Sequence, residues 1–339
     1  MIGLLSFIVV IGLGLVVHEF GHFLAAKKCG VTVPEFSIGM GPKIGKFKRG
    51  ETDYVLRLFP VGGFVAMASI LEGNPHDGCF ERKSKRQRAF ILGAGPFMNF
   101  VLAFILVLAI GVFQGQPHAT NQLAHVYPDM AASLAGLEVG DRIVSYQGAP
   151  IQTGEELVAA IHQHQGEVNV ELIRDGELLE LVLVPAVTLH EGRYISQVGI
   201  QVVTDYTFSL GYAIDFGFRQ FGNIFYELVR SLQMLVVGEV GISQLSGPLG
   251  VYQMASMVAH HSIYAVLMLA ALINVNLGLF NLFPLPALDG GRLVFIGVET
   301  LIRKPLPAKL EGAIHMVGFC LFMGLFVFTF INDLMRLRG

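Results

Sequence analysis

Four apolar stretches, each close to the ~20 residues a helix needs to cross bilayer hydrocarbon, decide most of what this chain can become. They fall at residues 2–26, 90–112, 263–283 and 313–331. Only 14% of the 339 residues are charged and 53% are hydrophobic, where soluble domains carry about 25% charged residues. The expected fold class is a polytopic α-helical membrane protein with four transmembrane helices. Net charge is −3, so no nucleic-acid partner is expected. The first stretch lacks a basic leader and a small-residue cleavage site, so it is expected to stay as a span.

Basic residues set the orientation. Residues 27–90 hold twelve Lys/Arg, and Arg292, Arg303, Lys304 and Lys309 add a second group. Residues 113–262 hold only five, against fifteen Asp/Glu. Lys and Arg favour the cytoplasmic side. The first and third loops are therefore expected inside, and residues 113–262 and both termini outside. Cys29, Cys79 and Cys320 form no disulfide framework.

The connecting segments have patterns of their own. Residues 35–68 alternate around a turn at 49–52, between Gly39-Met40-Gly41-Pro42 and Pro60-Val61-Gly62-Gly63. This predicts a β-hairpin, either on the cytoplasmic surface or at membrane depth, where protein or a wet cavity must shield it. Residues 120–204 predict a small α/β domain. It has a Gly-bounded turn at 136–141, a helix opened by a Thr153/Glu156 capping box, and a hairpin about Arg174-Asp175-Gly176. Within 205–240, Asp215, Arg219, Asn223, Glu227 and Ser231 recur every four residues. That polar stripe predicts an amphipathic interfacial helix.

The chemistry concentrates in His18-Glu19-Phe20-Gly21-His22, inside the first span. Residues four apart share a helix face, so both imidazoles can reach one zinc ion, and Glu19 can act on water beside it. A carboxylate and two imidazoles in an apolar span need partners. The alternative is a polar cluster that only braces a helix bundle. A catalytic zinc needs a third ligand and an open position. Asp289, in NLFPLPALDGG at 281–291, follows the third span and is the best-placed acid; a solvated loop residue is the other reading. Asn281 either handles substrate or glues helices. A transmembrane substrate has its backbone amides tied up, so it must unwind before cleavage. An edge of the 35–68 hairpin, with Gly62 and Gly63, could pair with the unwound segment.

Together HEFGH, FSIGMGPKI, GPFMN at 95–99 and NLFPLPALDGG resemble the site-2 protease family of intramembrane metalloproteases, of the bacterial regulator of sigma-E protease type. The likeness runs along nearly the whole chain. It implies one zinc per chain on His18, His22 and Asp289, with Glu19 as base and Asn281 and Pro284 in substrate handling. It also implies a membrane-reentrant β-loop at 35–68 and an active site near the cytoplasmic face of the inner membrane. Residues 128–141 resemble a circularly permuted bacterial PDZ domain, extracytoplasmic, with Val198, Gly199 and Ile200 as a peptide-carboxylate loop. One such domain fits, where the best-known members of this type carry two. Implied partners are single-span membrane proteins such as anti-sigma factors, remnant signal peptides, the lipid bilayer, and a peptide C-terminus at the PDZ domain. The rival reading is a catalytically inactive membrane anchor presenting a PDZ domain. The expected organisation is 1–113 (two spans and the hairpin), 120–204 (PDZ), 205–240 (interfacial helix) and 262–339 (two spans).

Overall fold

The computed structural model describes residues 2–70, 76–164, 166–190, 193–241 and 246–336. In chain order the elements are α1 (Ile2–Lys28), β1 (Glu35–Arg49), β2 (Thr52–Ala66), α2 (Lys85–Gln114), β3 (Gln116–Val126), α3 (Ala131–Leu134), β4 (Arg142–Tyr146) and β5 (Ala149–Pro150). There follow α4 (Gly154–Gln163), β6 (Val168–Arg174), β7 (Glu177–Leu183), β8 (Ala186–His190), β9 (Arg193–Gln197) and β10 (Ile200–Thr207). The last are α5 (Leu210–Val237), α6 (Pro248–Ala259), α7 (Ile263–Leu282), α8 (Asp289–Ile302) and α9 (Ala308–Arg336). Two compact units result: Met1–Gly111 with Ala213–Gly339, and Val112–Tyr212.

In the first unit, α1, α2, α7 and α9 are long and apolar enough to cross a membrane. Lipid tails are as apolar as leucine, so helices in a bilayer adhere by close packing of small residues. Gly14 makes room for Asn274, whose Oδ1 would lie 2.9 Å from any Cβ there. At Gly21 a Cβ would come within 2.4 Å of the Ala94 carbonyl oxygen. Helix α5 packs here too, with Ile224 against Ala103, Val107, Ala271 and Val275.

Ion pairs and caps fix the helix ends. Arg88 near the start of α2 meets Glu299 of α8 at 2.6 Å, and Lys85 donates to the Glu299 carbonyl. Buried Asp333 of α9 accepts from the Gly247 and Gly250 amides at 3.1 and 2.9 Å. A carboxylate at that end of α6 satisfies donors the helix cannot. Helices α6 and α8 have no counterpart in the sequence reading. They are short, and α8 opens on residues read there as loop.

The segment predicted as one hairpin is more folded than that. The turn does fall between Arg49 and Thr52, and residues 45–49 run antiparallel to 52–56. Yet Glu35–Ile38 lies between two stretches of β2: its register rises alongside Asp53–Leu56 and runs opposite to Gly63–Ala66. Bends at Gly39, Gly41 and Gly62, with φ of 84°, 88° and 85°, need the freedom glycine has at positive φ. The result is a curled sheet of four segments with 63–66 at one margin. Phe23, Phe36 and Tyr54 pack the sheet onto the end of α1.

In the second unit the main sheet runs β10-β3-β4-β6-β7, with β5 on β4. Leu123, Ile143, Tyr146, Leu157, Val170 and Leu172 centre its core. The Thr153 hydroxyl accepts from the Glu156 amide and the Glu156 carboxylate from the Thr153 amide, both at 3.2 Å, which starts α4. Asp175 and Gly176 at φ 52° and 89° form the two-residue turn between β6 and β7. Burial pushes the Tyr146 phenol up to about 12.

Arg174 locks the glycine-bounded turn before β4. It meets Asp141 through Nε and Nη2, each at 2.8 Å, and also reaches Glu138 and the Gly136 carbonyl. Burial alone would raise the Asp141 pKa; the Arg174 hydrogen bonds and the Glu138 amide outweigh it and hold the carboxyl below its usual range. Its folded pKa is depressed, so its stabilisation is present above the unfolded value of about 3.9 and lost as pH falls through the folded one. Arg174→Met removes the charged partner of buried Asp141 and should destabilise this unit by about 3 kcal/mol. Hydrogen-exchange mass spectrometry of the intact chain should show lost protection in β4, β6 and β7. The variant should also lose the acid-dependent component seen in the native protein.

Candidate metal centre

Helix α1 presents His18 and His22 on one face, both buried. Asp289 arrives from the far end of the sequence as the first residue of α8. The three ligand-capable atoms form a nearly equilateral triangle. The two Nε2 atoms are 3.1 Å apart, and Asp289 Oδ2 lies 3.1 Å from that of His18 and 3.2 Å from that of His22. Donors at ~2.0–2.1 Å from a tetrahedral zinc sit about 3.3 Å from one another. Among the described residues this is the one His/Cys/Asp/Glu group compact enough to hold a metal ion.

The surrounding protons favour a cation there. His22 Nδ1 lies 2.8 Å from the Ile91 carbonyl, which can only accept. That nitrogen carries the ring proton and leaves the Nε2 lone pair facing the triangle. Asp289 Oδ2 is buried and faces only the two Nε2 atoms. His22 Nε2 and Asp289 Oδ2, both bearing lone pairs 3.2 Å apart, favour a cation between them. The residues present fit zinc.

Two residues of α2 complete the surroundings, and neither had a chemical role in the sequence reading. Gly95 faces the imidazoles: a Cβ there would lie 2.4 Å from His22 Nε2 and 2.9 Å from His18 Cε1. Asn99 is fully buried, and its carboxamide nitrogen is 3.3 Å from His18 Nδ1. Its Oδ1 has no partner. With the carboxamide turned over, Oδ1 accepts from Nδ1–H and directs the His18 Nε2 lone pair inward. Both positions lie in the GPFMN motif, whose one-turn spacing was the available signal.

Glu19 is half-buried beside the triangle, within electrostatic reach of His18, His22 and Asp289. The Val65 amide of β2 faces its carboxylate. Gly63 is close by: a Cβ there would sit 3.6 Å from Glu19 Cγ and 2.7 Å from the Ser37 carbonyl oxygen. Gly62 turns away and packs on Met40. Asn281 folds back on its own helix, its carboxamide donating to the Leu277 carbonyl at 3.0 Å. Pro284 is exposed in the loop after α7. In the second unit, Val198, Gly199 and Ile200 line a cavity of about 290 Å³ with Met130, Val158 and His162.

Two buried imidazoles on a membrane-length helix, closed into a donor triangle by the first residue of α8 and with a carboxylate beside it, are the equipment of a membrane metalloprotease. The chain matches the model of peptidase family M50 over residues 6–325 and belongs to that family, the site-2 proteases. It is a multi-pass bacterial membrane protein and a metalloprotease, and the family implies zinc. It is 30% identical to the zinc metalloprotease RasP of Oceanobacillus iheyensis, covering 98% of each chain. It is 35% identical to a putative zinc metalloprotease of Clostridium perfringens, covering 94% of this chain and 95% of that one. The regulator of sigma-W protease RasP of Bacillus subtilis is 28% identical, with 98% of each covered. The PDZ domain of an SdrC-like protein from Listeria monocytogenes is 19% identical with a TM-score of 0.21, covering 24% of this chain and 85% of that one.

Gly95→Ala should put a methyl group where the imidazoles converge and abolish stoichiometric zinc, read by elemental analysis. Asn99→Leu should weaken zinc binding about 10–100-fold, as loss of an orienting partner does. Asn99→Asp should retain most of the affinity in a chelator-competition titration.

Proposed function

We propose that this chain cuts peptide bonds inside membrane-spanning segments, using one zinc ion held by His18, His22 and Asp289 and Glu19 as general base. The convergence of these donors, at mutual separations of 3.1–3.2 Å beside the membrane-length helix α1, carries the reading. When bound, zinc acidifies water and polarises a carbonyl. Glu19 takes the proton from the attacking water and delivers it to the departing amine. The intact donor set gives no support to an inactive anchor.

The curled sheet supports a route for the substrate. A helix in lipid has no free backbone donors, so strand pairing must replace its own hydrogen bonds. Gly63–Ala66 pairs with Glu35–Ile38 and lies beside Glu19. An unwound segment adding to that margin would bring its carbonyls to the metal. Asn281 contacts such a segment by leaving the Leu277 carbonyl, and Pro284, by ending α7, keeps the approach open.

Lys27 and Lys28 close α1, and their side of the bilayer is the cytoplasm by the positive-inside rule. His22 lies six residues before Lys28, about 9 Å along the axis, which puts the chemistry near that face. The 120–204 region is then extracytoplasmic. We read it as one PDZ domain, its Val198–Ile200 loop receiving the C-terminus left by a prior cut. Residues 205–240 lie along the interface. One relative is named for regulating sigma-W; by that likeness the substrates here are single-span regulators of the anti-sigma type, or remnant signal peptides.

Glu19→Gln should keep stoichiometric zinc and the fold while slowing cleavage of a transmembrane reporter by about 10²–10⁴-fold or more. His22→Ala and Asp289→Ala should lose the metal. Wild-type turnover in the Gln variant, or full zinc in either Ala variant, removes that residue from its role. Phenanthroline should inhibit, and added zinc restore, activity.

A further inference from the structure

The loop that delivers Asp289 is contorted. Leu285 donates to the Phe283 carbonyl at 2.7 Å and Leu288 to that of Leu285 at 3.3 Å. A Cβ at Gly290 or Gly291 would strike the Leu282, Phe283 or Leu285 backbone at 2.2–2.4 Å. Two residues before Asp289, Ala287 sits at φ 75°, where a side chain is disfavoured and where glycine would be at ease. Such a conformation persists only if neighbours enforce it.

The neighbour is α9. The Ala287 amide donates to His315 Nδ1 at 2.8 Å. An amide can only donate, so this ring is neutral with its proton on Nε2. Phe295 of α8 holds the ring edge-on, with centroids 5.3 Å apart and planes at 85°. One turn further along α9, Gly318 lets Pro286 approach: a Cβ there would come within 2.3 Å of the Pro286 side chain. The same helix face therefore grips the chain just before Asp289 and the helix just after it.

We propose that His315 is a positioning residue: from α9 it holds the Ala287 turn and so fixes where the Asp289 carboxylate stands relative to His18 and His22. This rests on Asp289 being a metal ligand. It gives the fourth span a part in the centre although that span supplies no donor atom.

The test uses full-length protein in nanodiscs, with zinc affinity from chelator competition and the visible spectrum of the cobalt-substituted form. His315→Phe keeps the ring and removes the acceptor; affinity should fall about 10-fold, with a shifted cobalt spectrum. His315→Asn, whose Oδ1 takes the place of Nδ1, should stay near wild type. Ala287→Gly in the His315→Phe background should recover most of the loss, because glycine holds the turn unaided. Wild-type affinity and spectrum in His315→Phe overturn the proposal, as does His315→Asn behaving no better than His315→Phe. Where His315→Phe does not accumulate, His315→Gln decides: its oxygen projects beyond the Nδ1 position, and wild-type affinity in it also overturns the proposal. Asp289→Ala runs alongside. If it retains zinc, the ligand assignment has failed; if it loses zinc while His315→Phe does not, only the positioning role has.

Discussion

Two imidazoles and a carboxylate at membrane depth are tolerable only because they face one another. Each alone would be a costly polar group among apolar helices; together they make a site a divalent ion can stabilise. That demand organises the first unit. Helix α1 supplies both histidines. Gly95 keeps α2 from filling the space they share. The chain breaks after α7 so that α8 can start with its carboxylate aimed back at them. Gly14 and Gly21 let α7 and α2 pack closely against α1.

Much of this was legible in the sequence because the signals were local. The HExxH spacing is a statement about one helix face, and the apolar runs are statements about length. The capping box at Thr153 and the turn at Asp175-Gly176 depend on neighbours in sequence. What stayed hidden was long-range or short. Helix α8 opens on Asp289, which read as loop because prolines and glycines surround it. Asn281, which the sequence left between substrate handling and helix glue, bonds its own helix in the structure. Asn99 and Gly95 stood out as a motif, yet their duty towards His18 and His22 emerges only once α2 is laid against α1.

The sheet at 35–66 shows another limit of pattern reading. Alternation revealed strands and the turn between Arg49 and Thr52. It could not reveal that β2 passes Glu35–Ile38 on both sides. Glycines at positive φ allow the sharp bends. The curl matters because it leaves 63–66, rather than the turn end, next to Glu19.

The triangle draws on residues 18, 22 and 289, separated by most of the chain. A nascent polypeptide that has emerged only as far as α7 holds both histidines but not the aspartate that closes the triangle. The triangle therefore cannot close before the start of α8 has been made and has folded back against α1.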